Sequence, residues 1–210
     1  GRYPGAPSGG AWSDVAIFPA SDESLSLIVD GTVNLGGITL NRDVTISGNG
    51  SFRLTNQSWS YSEGKKLTLK NFRLIGMMSS NGDRTLSLPI DIPNGTTTTI
   101  SGGTYKYSSS TYAARLVVSG AITGTGTLIS TTESYTGSNN IGVIFTGTGT
   151  LSEFGGTLEF LKCNTNDKFY LNTDTPSTAT ILLNDGVVLR SAKGKDMSLS
   201  VNSSLQVADA

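Results

Sequence analysis

Histidine is absent from this chain of 210 residues, and cysteine occurs once, as Cys163. Without histidine, neither a Ser-His-Asp triad nor a His-ligated zinc or iron site can form, so any acid–base chemistry falls to Asp, Glu, Lys, Tyr or Arg. A single cysteine excludes an intrachain disulfide and a Cys-rich zinc site. The Gly-x-Gly segments carry no P-loop lysine or dinucleotide fingerprint. The sequence therefore predicts no metal and no cofactor.

Charge and long apolar runs are scarce as well. Charged residues make up 15% of the chain, below the usual quarter, and the net charge is -1. No basic run extends beyond Lys65 and Lys66. No apolar stretch approaches the length of a membrane span. We therefore expect neither nucleic-acid binding nor membrane insertion.

Threonine, serine and glycine dominate what is present, with 27, 28 and 26 residues. Threonine suits a half-exposed strand, and glycine suits corners where φ is positive. The hydrophobic fraction of 36% falls in regular short runs, which a disordered chain would not show. At 21.9 kDa we expect one folded domain, or one part of a longer fibrous protein.

Apolar and polar residues alternate from residue 25 onward. Residues 44–46, 66–69 and 72–75 are examples, and turns follow every five to nine residues. A period of two is typical of short strands with one buried face, and no helical apolar stripe persists between residues 25 and 210. The sequence therefore predicts an all-β protein.

A hexapeptide, Thr-Gly-Thr-Gly-Thr-Leu, occurs at 123–128 and again at 146–151. A looser copy lies at 46–52, and the interval from Ile46 to the similarly placed Leu69 equals the interval between the two hexapeptides. A repeat of about 23 residues indicates the coils of a solenoid. We predict a single-stranded parallel β-helix of about eight coils over 25–210, with an N-terminal arm or cap over 1–24. An antiparallel β-sandwich is the alternative, because it also uses many short strands.

Acidic residues recur near the coil spacing, which would bring them into one ladder. Glu133, Glu153 and Asp174 follow one another at nearly equal intervals, each slightly shorter than the hexapeptide repeat. Two carboxylates two coils apart would lie near the separation used by inverting glycosidases. These three residues are the candidates for a histidine-free glycoside hydrolase or lyase. Chance spacing among 16 acids explains the same pattern.

Aromatic residues in polar surroundings are the candidate binding residues. Trp59 and Tyr61, like Tyr105 and Tyr107, are two positions apart, and Tyr135 stands alone. Residues at this spacing share one face of a strand. An outward face would give a platform for sugar rings or for another protein, whereas an inward face would place the same rings in the core.

Residues 121–130 and 127–140, including the run Ser-Tyr-Thr-Gly at 134–137, resemble the repeats of autotransporter passenger domains. The general pattern is also similar to the right-handed β-helical shafts of bacteriophage tailspikes and tail fibres. The resemblance implies an extracellular or virion-surface protein. For a phage tail it further implies a homotrimer that binds a cell-surface polysaccharide or receptor.

Three functions are consistent with these observations: a host-recognition part of a phage tail, a bacterial surface adhesin, and a polysaccharide-degrading enzyme. Binding is favoured over catalysis, because the chain lacks the Gly-Asp-Gly-x-x-Asp-Asp segment that many tailspikes carry. The oligomeric state distinguishes the phage-tail function from the adhesin function. A tail component would be an obligate trimer, whereas an adhesin stalk would be a monomer.

Overall fold

The computed structural model describes residues 14–77, 82–107, 109–137, 141–147, 149–164, 167–172, 178–190 and 204–207. These residues form strands and no helix, which confirms the prediction of an all-β protein. In chain order, the strands are β1 (Val15–Phe18), β2 (Leu25–Ile28), β3 (Thr32–Leu40), β4 (Val44–Ser47), β5 (Ser51–Tyr61), β6 (Leu67–Lys70), β7 (Arg73–Gly76), β8 (Gly82–Leu86), β9 (Ile90–Ile92), β10 (Thr97–Tyr107), β11 (Ser110–Val118), β12 (Ile122–Gly124), β13 (Thr127–Thr132), β14 (Ile141–Thr146), β15 (Glu153–Phe154), β16 (Thr157–Phe160), β17 (Asp167–Asn172), β18 (Thr180–Leu183), β19 (Leu189–Arg190) and β20 (Ser204–Val207).

The strands line up in three rows. The first row is a six-stranded sheet in the order β2-β4-β6-β9-β12-β15. A 14-stranded sheet contains the other two: the second row runs β3-β5-β7-β10-β13-β16-β18-β20, and the third runs β8-β11-β14-β17-β19. The remaining strand of this sheet, β1, pairs with β3. From β6 to β17 the chain visits the first, second and third rows in strict rotation. Within the described residues, every pairing is parallel except that of β10 with β11, which joins the second and third rows.

The rows enclose one hydrophobic core, and the alternation along each strand explains why. In β17, Phe169 and Leu171 are buried, while the intervening Lys168 and Tyr170 are half-buried and face outward. Successive side chains of a strand point to opposite faces, so each strand contributes every second residue to the core. Residues from all three rows meet there, and the largest buried rings are Phe72, Phe145, Phe154, Phe160 and Phe169.

The spacing between paired strands changes along the chain. Val44 pairs with Leu67 and Leu67 pairs with Ile90, so the spacing there is the one that the repeats predicted. Ile46 pairs with Leu69, as the sequence indicated. Further on, Thr97 pairs with Thr127 and Thr127 with Thr157, so the spacing there is wider and again constant. In the coil that begins at Thr97 the strands β10 and β11 are longer, and in the coil that begins at Thr127 the connections on both sides of β14 are longer.

The two hexapeptides do not occupy equivalent positions, and the expectation that they mark one recurring corner is wrong. Thr123, in the first copy, pairs with Glu153 rather than with Thr146 of the second copy. The first copy turns the chain from the first row into the second. The second copy begins at the last residue of the third-row strand β14 and ends before β15. The two copies therefore lie at different corners, one between the first and second rows and the other between the third and first rows.

The beginning of the described chain is already paired. β1 lies inside the predicted arm or cap of residues 1–24, and it pairs in parallel with residues 37–40 of β3. The register of β3 against β5 shifts between Leu35 and Gly37. Beyond this shift, the second half of β5 approaches β8, where Gln57 accepts a hydrogen bond from Thr85 N at 3.2 Å. Residues 1–13 lie outside the described residues.

Candidate binding surface

A β-hairpin of residues 103–114 forms the junction between the second and third rows. In it, Tyr105 lies opposite Tyr112 and Lys106 lies opposite Thr111. Residues 104–107 and 110–113 pair only with one another among the described strands, so this part of the hairpin extends beyond the parallel rows. Directly opposite residues share a face, so one face carries the Tyr105–Tyr112 pair and the other carries Lys106 and Thr111.

The two faces of the hairpin differ in exposure. Tyr105 and Tyr112 are half-buried, whereas Lys106 and Thr111 are exposed. The position of Tyr107, two residues after Tyr105, is at the end of β10 opposite Ser110. Tyr105 and Tyr107, the pair predicted from their spacing, therefore both lie on the β10 strand of this hairpin. Tyr112 is another aromatic residue in polar surroundings, and its place opposite Tyr105 was not predicted. It lies there because the chain reverses between β10 and β11.

The base of the hairpin is fixed to the rows by close backbone packing. At Gly103 a Cβ atom would meet the carbonyl oxygen of Gly76 and the side chain of Ile75 at distances well under 3.0 Å. Only glycine permits this approach. The next residue, Thr104, donates from its backbone N to Glu133 Oε2 at 2.8 Å and from its hydroxyl to the same oxygen at 3.2 Å.

Glu133 is held from a second side by Arg53. The Arg53 Nη2 to Glu133 Oε1 distance is 2.5 Å, and the two side chains are 30% and 15% exposed. Arg53 Nη1 also lies 3.4 Å from Met77 Sδ and 3.5 Å from Thr104 O. Both carboxylate oxygens of Glu133 are therefore occupied, and the carboxylate connects β5 to the hairpin. Arg53 is a residue that the sequence did not suggest, because it is 80 positions from Glu133.

We expect Glu133→Ala to lower the free energy of unfolding by about 2 kcal/mol, because it removes charge-assisted hydrogen bonds from a largely buried group. Urea denaturation monitored by tryptophan fluorescence measures the loss. Glu153→Ala is the matched control, since Glu153 is exposed and should change stability by less than about 0.5 kcal/mol. Equal losses in the two variants would contradict an anchoring role for Glu133.

Of the three predicted acidic residues, Glu133 and Glu153 do not lie in one ladder. Glu133 follows β13 of the second row, whereas Glu153 begins β15 of the first row, beside Thr123. Asp174 lies outside the described residues. In the part of the chain that the structure describes, no group of three or more Cys, Asp or Glu side chains is arranged to hold a metal ion.

Trp59 and Tyr61 lie in the second half of β5 and differ in their surroundings. Trp59 is half-buried, packs against the core, and donates from Nε1 to Thr85 O at 2.5 Å. Tyr61, at the end of the strand, is 49% exposed. Of this pair, Tyr61 has the more accessible ring, and Trp59 joins β5 to β8.

Tyr135 lies in the connection between β13 and β14. Its backbone N donates to Asn164 Oδ1 at 2.7 Å, and its ring lies against Gly137. Asn164 in turn donates from its backbone N to Asp167 Oδ2 at 2.9 Å. Tyr135 is half-buried and belongs to a connection fixed by these polar contacts, apart from the tyrosines of the hairpin.

Arg84 is a charged residue that the alternation could not identify as buried. It lies opposite Leu116 at an inward position of the third row and is 7% exposed. Its Nε donates to Met77 O at 3.2 Å. Desolvation lowers the pKa of Arg84, because burial disfavours the charged guanidinium. This arginine is part of the interior rather than of a surface that could bind a ligand.

Comparison of the chain with protein-family models, with curated proteins and with solved structures finds no match. A helix long and apolar enough to cross a membrane is not found in the described residues. The most prominent feature of the candidate surface is the hairpin of residues 103–114 with its Tyr105–Tyr112 pair, here named the tyrosine hairpin.

Proposed function

We propose that this chain is a single-stranded parallel β-helix that binds a cell-surface polysaccharide through the tyrosine hairpin. Parallel pairing within each of the three rows and the rotation of the chain through them support the β-helix over the antiparallel sandwich. In such a rod, the ordered coils hold a projecting hairpin in a fixed position. Binding residues are commonly placed on loops that a rigid scaffold supports.

The Tyr105–Tyr112 pair is the observation that carries the proposal. A cross-strand pair of tyrosines offers flat apolar rings with hydroxyl groups at their ends, which suits the apolar faces and hydroxyls of a sugar ring. The Glu133–Arg53 pair and the packing of Gly103 hold the base of the hairpin in place. A held hairpin loses less conformational entropy when a ligand binds.

We further propose that the rod is part of a bacteriophage tail and recognises the host as a homotrimer on the virion surface. Support comes from the resemblance of residues 121–140 to extracellular β-helical repeats and from the Ser-, Thr- and Gly-rich composition. A structural role rather than cleavage is assigned to Glu133, because both of its carboxylate oxygens accept hydrogen bonds from protein groups.

Tyr105→Ala and Tyr112→Ala are each expected to weaken polysaccharide binding about tenfold or more, as loss of a central aromatic contact does in other interfaces. The measurement is binding of the purified chain to an array of capsular and O-antigen polysaccharides, followed by titration with those it retains. Lys106→Ala and Thr111→Ala alter the opposite face of the same hairpin and should change the affinity by less than twofold. Loss of binding in all four variants, or in none, would contradict the proposed site.

A further inference from the structure

A second patch lies on the outer face of the third row. The pairing of β8, β11, β14, β17 and β19 places one residue from each strand in a single column, namely Thr85, Val117, Ile144, Tyr170 and Arg190. Adjacent positions in such a column are about 4.8 Å apart. Val117, Ile144 and Tyr170 therefore form a continuous apolar strip along the row, here named the third-row strip.

The strip faces away from the core. Leu116, Phe169 and Leu189, the neighbours of Val117, Tyr170 and Arg190 along their strands, pack in or against the hydrophobic core. Alternation along a strand then directs the strip residues outward. The strip residues are half-buried, so their side chains retain access to solvent.

Two positive charges flank the ring at one end of the strip. Lys168 precedes Tyr170 by two residues on the same face of β17, and Arg190 lies directly opposite Tyr170 on β19. Neither cation forms an ion pair with another described residue. The situation at Arg115 differs, because Asp83 neutralises it through contacts of 2.6 and 2.9 Å.

The residue beside Lys168 on β14 is Gly142, which has no side chain to cover the lysine. A Cβ at Gly142 would collide with the carbonyl oxygen of Lys168, so the close packing of the two strands requires glycine here. The patch thus combines the half-buried ring of Tyr170 with two cations that form no ion pair with the described residues. Between Arg115 and Lys168, Gly142 adds no side chain. Its local charge is positive although the whole chain carries a net charge of -1.

We propose that this patch binds an acidic polysaccharide, with a sugar ring on Tyr170 and its carboxylate between Lys168 and Arg190. This inference rests on the proposed function and names the chemical class of the ligand. A polymer with carboxylates along its length complements cations and apolar side chains arranged along the axis of a row. β11 connects the two sites, because it supplies Tyr112 to the hairpin and Val117 to the strip.

The test measures binding of polygalacturonate, hyaluronate and polysialic acid to the full chain by affinity electrophoresis and calorimetry. We expect at least one of them to bind, more weakly as sodium chloride is raised, because salt screens contacts between exposed charges. The double variant Lys168→Ala/Arg190→Ala should lose about tenfold in affinity, and Tyr170→Ala about fivefold. For polygalacturonate, reduction of its carboxyl groups to alcohols should produce a similar loss for the unaltered chain.

The matched control is Lys70→Ala/Arg73→Ala, which removes the same charges from exposed positions of the first and second rows. It should retain affinity within about twofold. Equal losses of affinity in the two double variants would show that only overall charge matters, and would overturn the inference. Failure of all three polymers to bind would also overturn it.

Light scattering on the same variants tests a different occupant of the strip. A fall in solution mass in Tyr170→Ala, with polysaccharide affinity unchanged, would assign the strip to contacts between copies of the chain and overturn the inference. The result for the acidic-polysaccharide site can be distinguished from the result for the tyrosine hairpin. If Tyr105→Ala and Tyr112→Ala leave binding intact while Lys168→Ala/Arg190→Ala weakens it, the hairpin proposal fails and the acidic-polysaccharide site stands.

Discussion

Replacing Phe160 with alanine is expected to lower the free energy of unfolding by about 3–5 kcal/mol, the usual cost of removing a buried aromatic ring. Phe160 has no exposed surface and lies in β16 of the second row. Its ring centroid is 6.2 Å from that of Phe145 and 5.6 Å from that of Phe169, in edge-to-face geometry. Those two partners belong to the third row, so one side chain connects two rows through the core.

Urea denaturation, followed by the fluorescence of Trp59 and Trp12, measures this loss. Phe160→Leu should cost less, about 1–2 kcal/mol, because most of the buried apolar area is retained. Ile28→Ala is the control at a surface position, since Ile28 is 77% exposed, and it should change stability by less than about 0.5 kcal/mol. A loss below about 1 kcal/mol for Phe160→Ala would mean that the rows do not share one close-packed core.

The strands were predictable from sequence because their signal is local. The alternation of Val44 and Ile46, and of Leu67 and Leu69, marks two strands whose apolar side chains are all buried. The register between them was also predictable, because the connection that joins them keeps the length of the repeat. Steric preference and burial act on each strand separately. Predicting these two strands and their register therefore needs no knowledge of distant parts of the chain.

Register over the later part of the chain was not predictable, because it depends on how much chain each corner accommodates. Identical hexapeptides suggested equivalent corners, yet Thr123 pairs with Glu153. The composition of a corner specifies its local turn, whereas its position in the stack depends on every residue inserted before it. Short polar segments such as residues 133–140 carry no apolar periodicity, so the sequence does not show how many residues a connection contains.

For the candidate surface too, local features were predictable from sequence and long-range contacts were not. The spacing of Tyr105 and Tyr107 indicated a shared strand face, and both lie on β10. The opposite Tyr112 depends on where the hairpin reverses. The partner of Glu133 is Arg53, separated by 80 positions, and no local pattern connects them. Contacts of that range arise only when the rows stack.

Gly124→Ala is expected to lower the free energy of unfolding by about 3–5 kcal/mol, whereas Gly147→Ala should cost about 1–2 kcal/mol. The two glycines are the same residue of the two hexapeptides, and their φ angles are 96° and 98°. Both alanines would therefore suffer similar backbone strain. Only at Gly124 would the added Cβ meet backbone, the carbonyl group of Ile92, well inside 3.0 Å.

At Gly147 the nearest atom to an added Cβ is the Thr150 hydroxyl oxygen at 3.2 Å, which belongs to a side chain. The difference between the two alanine variants in urea denaturation thus isolates the contact between neighbouring first-row strands. Asparagine tolerates positive φ better than alanine but still carries a Cβ. Gly147→Asn should therefore recover part of the stability lost in Gly147→Ala, while Gly124→Asn should recover little. Equal costs for the two alanine variants would contradict the close approach of Gly124 to Ile92, and with it the stacking of β12 on β9.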